Sequence, residues 1–592
     1  MSRTPATRSG LAPSPIEQDL LAGITLARMW RDLEFLCGLD RASGTEGERR
    51  AMEYIATTLR ADGVRVDVHT FDAYLSYPIT GTITVEAGEG LPADIPAKTR
   101  AFSGNTPPGG LGAEVIYVAG GHDLFRDTET HRRLERAAVE GKIVLSEAGS
   151  RRTMQTAQEQ GAVAYIHMWP SDEDAIHEGI VSPVWGSPTP EASAAFPRIP
   201  ILSVTRASGE ALRAALGRGP VRLRISSRTE TGWRRVTLPV ATIPGATPEF
   251  VLFSGHVDSW HLGATDNATG NAVTMEVARV LHAQRDRLRR GVRCAFWPGH
   301  STGRYAGSTW YADQHWQDLY DHCVLHINCD SPGVVGATEY SPVTASAEAS
   351  AFGVALIREL TGQDVEWERP VRAGDQSFWG AGVPSLFMGL SVRPKGQRWA
   401  VGGSGLGWWW HTEADTIDKV SPDVLILDTQ IYLLASYRVA TAPMVPLRIG
   451  APVAELQEVI AGLRRTAGER FDLSPVIKTL DRLRSAAARF DDVAGDLAGA
   501  SATRVEIIGR AQRAAVRALV QIAYTSGRPF EHDPAIPQLP IPSLQEISDL
   551  VRLPADDHAS RLLHTRLVRR RNRVVYGLRT AADVLETALA GT

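Results

Sequence analysis

Residues 250–281 read FVLFSGHVDSWHLGATDNATGNAVTMEVARVL, and this stretch decides the fold that we predict. It opens with a short apolar run, Phe250–Ser254, that is typical of a buried strand, and closes with Asn271–Leu281, which we predict to be a helix. Two further apolar runs of the same kind follow, Arg293–Trp297 and Val324–Ile327. Strands that alternate with helices in this way indicate an α/β fold with a mostly parallel sheet.

Polar side chains stand where each of these strands ends. His256 and Asp258 close the first run, His300 follows the second and Asp330 follows the third. Open α/β sheets bind ligands at the carboxyl ends of their strands, so we expect these side chains to line one crevice. Asp258 lies two residues after His256 on the same strand face, which suits it to fix a ring or a water by a hydrogen bond.

Imidazoles and carboxylates at such a crevice point to metal chemistry. A carboxylate shared by two divalent ions, a second carboxylate and neutral imidazoles can hold metals that polarise a carbonyl and generate hydroxide near neutral pH. Asp266, in the Gly-rich turn GATDNATG, is placed to face both ions. We predict a divalent transition metal, above all zinc, as one or two ions, and the candidate ligands are His256, Asp266, His300, Asp330 and His411.

The composition argues against several classes of function. Hydrophobic residues make up 43% of the 592 residues and charged residues 22%, and a net charge of −4 favours neither nucleic acid nor an anionic membrane as partner. The basic run Arg566–Val575 is interpreted as the solvated face of a helix. The four cysteines lack zinc-finger spacing and predict buried, reduced thiols. No stretch has the length of a membrane span or the pattern of a secretory signal, which predicts a cytoplasmic protein.

Five short motifs resemble the zinc-aminopeptidase family that also contains glutamate carboxypeptidase and the transferrin receptor. In chain order they are His-x-Asp, Gly-Ala-x-Asp-Asn-x-x-Gly, Gly-Ser with aromatic residues, Asn-x-Asp and His-Thr-x-x-Asp-Thr: His256–Asp258, Gly263–Gly270, Gly307–Tyr311, Asn328–Asp330 and His411–Thr416. The resemblance implies that His256 and Asp330 bind one metal ion and His411 the other, with Asp266 between them.

The resemblance covers nearly the whole chain and predicts its domains. GAEVIYVAGG and RIPILSVTRASGEAL resemble the protease-associated domain, an insert that covers or shapes the active site in relatives; an unrelated small β-rich domain is the alternative. Amphipathic helices dominate after residue 446 and indicate a helical bundle. The resemblance implies that this bundle forms a homodimer. We predict a disordered N-terminus, a metallopeptidase-like catalytic domain in two parts, a β-rich insert and a helical, dimerisation-like domain: residues 1–15, 16–75 with 232–445, 76–231 and 446–592.

One departure from the family concerns the residues after the second strand. Relatives carry two adjacent glutamates there, a general base and a metal ligand, whereas this chain reads FWPGHSTGRYAGS with His300 and Ser301 in those places. Three interpretations stay open: His300 is a metal ligand, His300 is the general base, or peptidase chemistry is lost as in the transferrin receptor. Arg304 and Tyr305 are candidates for holding a carboxylate or an oxyanion, with scaffold packing as the alternative.

Two further features have two interpretations each. Asp375 either orients a metal ligand or caps a helix. The triple tryptophan Trp408–Trp410 either walls a substrate pocket or packs between domains.

The prediction is a metal-dependent hydrolase of an amide or related C–N bond in a small molecule or short peptide. Its catalytic candidates are His300, Arg304 and Tyr305. Its expected partners are that substrate and a second copy bound through the C-terminal helices, with neither nucleic acid nor membrane. The alternative is a non-catalytic binding or assembly protein of the same fold, like the transferrin receptor.

Overall fold

A computed structural model describes residues 13–126, 129–394, 396, 405, 407–497, 499–527 and 529–591. The segment 1–15, predicted to be disordered, lies outside these ranges except for its last three residues, and the first helix begins at Pro15. In the described ranges, no helix combines the length and the apolar character that crossing a membrane requires.

Strands occupy the chain from Arg65 to Leu386. They are β1 (Arg65–Ala87), β2 (Asp94–Pro96), β3 (Lys98–Thr99), β4 (Leu111–Tyr117), β5 (Ile143–Ser146), β6 (Ala164–Met168), β7 (Ile201–Val204), β8 (Arg222–Ile243), β9 (Thr247–His256), β10 (Arg290–Trp297), β11 (Cys323–Asn328), β12 (Val343–Thr344), β13 (Trp367–Glu368) and β14 (Ser385–Leu386). Strands β12 and β13 pair with each other, and the other twelve form one continuous sheet.

Helices are distributed along the whole described chain. They are α1 (Pro15–Ala22), α2 (Leu26–Cys37), α3 (Glu46–Ala61), α4 (Arg136–Val139), α5 (Arg151–Glu159), α6 (Pro190–Ser193), α7 (Arg206–Leu216), α8 (Thr269–Ala283), α9 (Ala306–Gln314), α10 (Trp316–His322), α11 (Ala347–Thr361), α12 (Pro422–Thr441), α13 (Gly450–Ala467), α14 (Ser474–Gly495), α15 (Ala502–Tyr524), α16 (Ile547–Leu550) and α17 (His558–Ala590). In the described residues after 446 every secondary-structure element is a helix, and α14 and α15 pack on α17.

The central part of the sheet runs in the order β14–β11–β9–β10, with all four strands parallel, and β8 joins β10 in the antiparallel direction. This confirms a mixed α/β fold with a mostly parallel central sheet, and the three predicted strands extend a few residues beyond their predicted ends. On β9, Val251 and Phe253 pack on one face with Val273 of α8, while Phe250 and Leu252 pack on the other face. Because both faces are covered, the strand is apolar throughout rather than alternating.

Strands β1 and β8 form a long antiparallel ribbon between the central sheet and the β-rich segment. Strand β1 is 23 residues long and strand β8 is 22 residues long. The proposed domain boundaries lie inside this ribbon and face each other, since Leu75 pairs with Gly232 and Ser76 with Thr231. Beyond that line β8 continues to β4, and β4, β5, β6 and β7 are parallel.

All four cysteines are buried and unpaired, which confirms the prediction of reduced thiols. Burial raises the pKa of Cys37 to about 11 and that of Cys323 to about 12. Such thiols are poor nucleophiles near neutral pH.

Candidate metal centre

Four of the predicted ligands meet at the carboxyl end of the central sheet. His256 is the last residue of β9, Asp330 follows β11, and Asp266 lies in the turn before α8. His256 Nε2 is 2.9 Å from Asp266 Oδ1 and 3.8 Å from Asp330 Oδ1, and His411 Nε2 is 3.1 Å from Asp266 Oδ2. The two oxygens of Asp266 therefore face two different imidazoles, as a carboxylate between two metal sites would.

Backbone carbonyls orient both imidazoles. His256 Nδ1 donates to the carbonyl of Asp258 at 2.8 Å, and His411 Nδ1 donates to the carbonyl of Glu178 at 3.1 Å. A proton on Nδ1 of a neutral ring leaves the Nε2 lone pair free for a metal. Glu178 belongs to the β-rich segment, so this segment helps to position a candidate ligand.

The residues present fit a divalent cation. His256 Nε2 and Asp266 Oδ1 are buried and, within the described ranges, have no hydrogen bond of acceptable geometry, although they face each other. Burial alone would lower the pKa of His256 and raise that of Asp266, but their mutual attraction outweighs burial, raising the pKa of His256 and lowering that of Asp266. A metal ion can replace the proton that such a buried pair shares.

The substituted loop, residues 298–305, carries His300 and Ser301 after β10. Asp258 accepts hydrogen bonds from the backbone nitrogens of both residues, at 3.0 and 2.7 Å. The predicted orienting role of Asp258 thus acts on this loop and, through its carbonyl, on His256. The ring of His300 stacks on that of His256 with centroids 3.8 Å apart.

Asp375 binds His300 from the other side. His300 Nδ1 donates to Asp375 Oδ2 at 2.6 Å, and Ser308 Oγ donates to Asp375 Oδ1 at 2.6 Å. Burial would raise the pKa of Asp375, but His300 outweighs burial and the pKa is lowered. The helix-capping interpretation is wrong, because the next helical turn begins only at Trp379. This dyad was not predicted as a unit, since its members are far apart in the sequence.

The centre opens into a cavity of about 390 Å³. Arg304 and Tyr305 both line it. Arg304 Nη2 donates to the carbonyl of Ile180 at 2.6 Å, and its Nε has no partner among the residues that the structure describes. Trp410 fits both interpretations of the tryptophans, because it lines the cavity, stacks on His411 with centroids 3.5 Å apart and lies 6.1 Å from Trp169 of the β-rich segment. Trp409 is buried against Val334 and Ala337, within one predicted domain.

Sequence reasoning missed two buried residues that hold the turn around Asp266. Asp415 accepts hydrogen bonds from the backbone nitrogens of Thr265 and Asp266 at 2.9 and 3.0 Å, and burial raises its pKa to about 7. Its place in the motif HTEADT was the available signal. Arg41 donates to the carbonyls of Leu262 and Gly263 at 2.8 and 2.9 Å, and no local pattern marks it.

Comparison with known proteins shows which proteins this chain is similar to. Residues 240–433 match the family model of Peptidase family M28. The chain is 25% identical over 414 residues to the Probable lipoprotein aminopeptidase LpqL of Mycobacterium tuberculosis, covering 65% of this chain and 78% of the relative. It is 24% identical over 423 residues to Carboxypeptidase Q of Mus musculus, covering 68% and 82%.

Solved structures share the fold. The Peptidase M28 precursor from Shewanella amazonensis has a TM-score of 0.57 at 20% identity, covering 72% of this chain and 96% of the other. The aminopeptidase from Aneurinibacillus sp. strain AM-1 has a TM-score of 0.53 at 22% identity, with the same coverage. The predicted resemblance to the zinc-aminopeptidase family is therefore confirmed, and the segment that matches Peptidase family M28, residues 240–433, contains all five candidate metal ligands.

Proposed function

We propose that this protein is a metal-dependent hydrolase that cleaves an amide or related C–N bond in a small molecule or short peptide. The observation that carries the proposal is that two imidazoles and two carboxylates meet, those of His256, His411, Asp266 and Asp330. Within the described ranges, His256 Nε2 and Asp266 Oδ1 are buried without a hydrogen bond of acceptable geometry. Burying charged groups of this kind costs several kcal/mol each unless an opposite charge compensates for them, and a bound cation supplies that charge for the carboxylates.

A divalent metal, zinc above all, would be held at this centre, where the candidate ligands are His256, Asp266, His300, Asp330 and His411. When bound, such an ion polarises a carbonyl and lowers the pKa of water. His300 is then oriented by Asp375, which keeps its Nε2 turned away from that carboxylate and available to the centre.

The cavity favours a substrate that carries a carboxylate. Arg100, Arg151 and Arg304 line it and are all at least 95% buried, and among the described residues none of them forms an ion pair with a carboxylate. Burying three guanidinium groups near one another is costly unless an anion approaches them. Arg304 Nε and Arg151 Nη2 have no hydrogen-bond partner in the described part of the chain and are available as donors. A substrate carboxylate matches the geometry of guanidinium donors.

We assign residues 76–231 to an inserted domain like the protease-associated domain. This segment supplies Arg100 and Arg151 to the cavity, and its Glu178 carbonyl accepts a hydrogen bond from the candidate ligand His411.

We also propose that the C-terminal helices, residues 446–592, form a homodimer. Leu562 and Tyr576 on α17 are 60% and 64% exposed, which supports a contact there. Sedimentation as a monomer at micromolar concentration would contradict the dimer. Cytoplasmic location stays a prediction from the sequence.

The hydrolase is tested by metal content together with product formation. Protein purified without chelator is incubated with dipeptides and N-acyl amino acids, and released amines are detected by mass spectrometry. We expect bound zinc and hydrolysis, with His256→Ala lowering kcat/KM by more than about 100-fold because a ligand is lost. His322→Ala is the matched control, since His322 precedes β11 at the opposite end from Asp330.

The same measurements distinguish the hydrolase from the alternative, a non-catalytic binding or assembly protein. A binding or assembly protein would contain no stoichiometric metal, and its melting temperature would not change when zinc is added. That pair of results would overturn the hydrolase. Hydrolysis without preference for substrates with a free carboxylate would overturn only the role of the arginines.

A further inference from the structure

The two sides of Asp266 offer unequal numbers of metal ligands. We infer that the centre holds one divalent metal ion, bound by His256, His300 and Asp330, and no second ion beside His411. The inference deepens the proposed function and depends on it only in that a metal ion binds at all. It differs from the two-metal arrangement that the resemblance implies, because it follows from the substituted loop.

The side of His256 has a full set of donors. One ligand atom from each of His256, His300 and Asp330 lies within 4.8 Å of the others, and Asp266 Oδ1 is 2.9 Å from His256 Nε2. Ligands bound at about 2.0–2.1 Å to a tetrahedral zinc ion are about 3.3 Å apart, so small side-chain shifts bring this set into coordination. His300 has the usual support of a ligating histidine, because its Nδ1 donates to the carboxylate of Asp375.

The side of His411 is short of donors. Among the described residues it has His411 Nε2 and Asp266 Oδ2, which lie 3.1 Å apart. Ser301 occupies the place where relatives carry a glutamate ligand, and a neutral hydroxyl is not among the groups that commonly bind zinc. The Glu178 carboxylate is 3.0 Å from Lys98 Nζ and 3.6 Å from His261 Nε2, and in the described part of the chain no ion pair joins it to His411. Two protein ligands are fewer than the three that catalytic zinc sites use.

His411 therefore acts as a positioning residue. It is held by the Glu178 carbonyl on one side and by stacking on Trp410 on the other, and it contacts the far oxygen of Asp266. In this arrangement it orients the Asp266 carboxylate toward the ion on the His256 side.

Metal stoichiometry tests the inference without any assay of activity. The whole chain is dialysed against zinc, passed through a desalting column and analysed for zinc per protein by elemental mass spectrometry. We expect one zinc per chain. His300→Gln should weaken zinc binding more than about 100-fold in a chelator competition, while His411→Gln should keep one zinc per chain with affinity changed less than about tenfold. Melting curves of each variant verify that it is folded.

Restoring the missing carboxylate provides a gain-of-binding test. Ser301 lines the same cavity as His411, so Ser301→Glu is designed to offer a third donor on that side, and we expect it to raise the zinc content from one to two per chain. Ser301→Gln is the matched control, with the same length but without the charge, and should stay at one. The Co²⁺-substituted protein adds a spectroscopic readout, because His300→Gln should change its visible absorption spectrum and His411→Gln should leave it nearly unchanged.

The outcomes distinguish this inference from the proposed function. Two zinc ions in the unmodified chain, or loss of zinc in His411→Gln but not in His300→Gln, would overturn the single-ion centre and leave the hydrolase standing. No zinc in any folded form would overturn the hydrolase itself. One zinc, lost with His300 and joined by a second in Ser301→Glu, supports the inference.

Discussion

Replacing Arg41 with methionine should destabilise the protein strongly, because this buried side chain ties the N-terminal helices to the metal centre. Arg41 is fully buried, and its guanidinium donates to the carbonyls of Leu36, Val257, Leu262 and Gly263 at 2.6, 2.9, 2.8 and 2.9 Å. Three of these carbonyls belong to the segment that leads from β9 into the turn of Asp266. Methionine keeps the apolar stem of arginine and removes every donor.

The magnitude follows from these four hydrogen bonds. Each bond to a charged donor contributes about 1.5–3 kcal/mol, or about 6–12 kcal/mol for four. Removing the guanidinium also removes the cost of burying a charge, which is several kcal/mol. The carbonyls that lose their donors partly regain water. We therefore expect Arg41→Met to lower the free energy of unfolding by about 3–5 kcal/mol.

Urea unfolding, followed by tryptophan fluorescence, measures this change from the shift of the midpoint at constant slope. Arg49→Met is the matched control, because Arg49 on α3 has 55% of its side chain exposed and should change stability by less than about 0.5 kcal/mol. Arg41→Lys should lie between the two, since an ammonium has three donors in place of five. A loss below about 1 kcal/mol in folded Arg41→Met would refute the reasoning.

Three further predictions concern other buried positions. Burial raises the pKa of Glu348 to about 7, so folding binds a proton and the free energy of unfolding falls as pH rises from about 4.5 to 7. Glu348→Gln lacks this loss, so its stability relative to the unmodified chain should be up to about 3 kcal/mol higher at pH 8 than at pH 5. The same difference in melting temperature at both pH values would contradict this. Asp258 accepts hydrogen bonds from the backbone nitrogens of His300 and Ser301, and Asp258→Asn replaces one of its two acceptor oxygens by a donor. This change should weaken zinc binding about 10–100-fold in a chelator competition, whereas Asp318→Asn on α10 should have no effect. Gly382 has φ of 72°, and an added Cβ would lie 2.6 Å from the Cα of Arg517, so Gly382→Ala should cost at least about 2 kcal/mol in urea unfolding; an unchanged midpoint would count against this close approach.

The three central strands and the centre were predictable from the sequence because their signals are local. The run Phe250–Ser254 is apolar because both sheet faces are covered, and a polar residue marks the end of each strand. His256 and Asp330 follow from those strand ends, and parallel strands bring such ends together. The β1–β8 ribbon was not predicted as continuous, because bulges near Pro78 and Val85 interrupt the alternation that identifies a strand.

Relations between distant residues were beyond the sequence. Asp375 and Glu178 each support a histidine far away in the chain, and Arg41 serves carbonyls more than two hundred residues away. A carboxylate or guanidinium at such a position has no periodicity or spacing that reveals its partner. Their partners depend on how helices and loops pack, so only a three-dimensional structure identifies them.

By itself the sequence determined the α/β architecture, the three central strands and the set of imidazoles and carboxylates at their ends, because each follows from the pattern of neighbouring residues. The tertiary structure decided how these groups are used. It directs the Nδ1 of His300 to Asp375, anchors the Ser301 backbone on Asp258 and brings the Glu178 carbonyl to His411. These contacts join separate segments, and hydrogen-bond direction and distance exist only once the segments are packed.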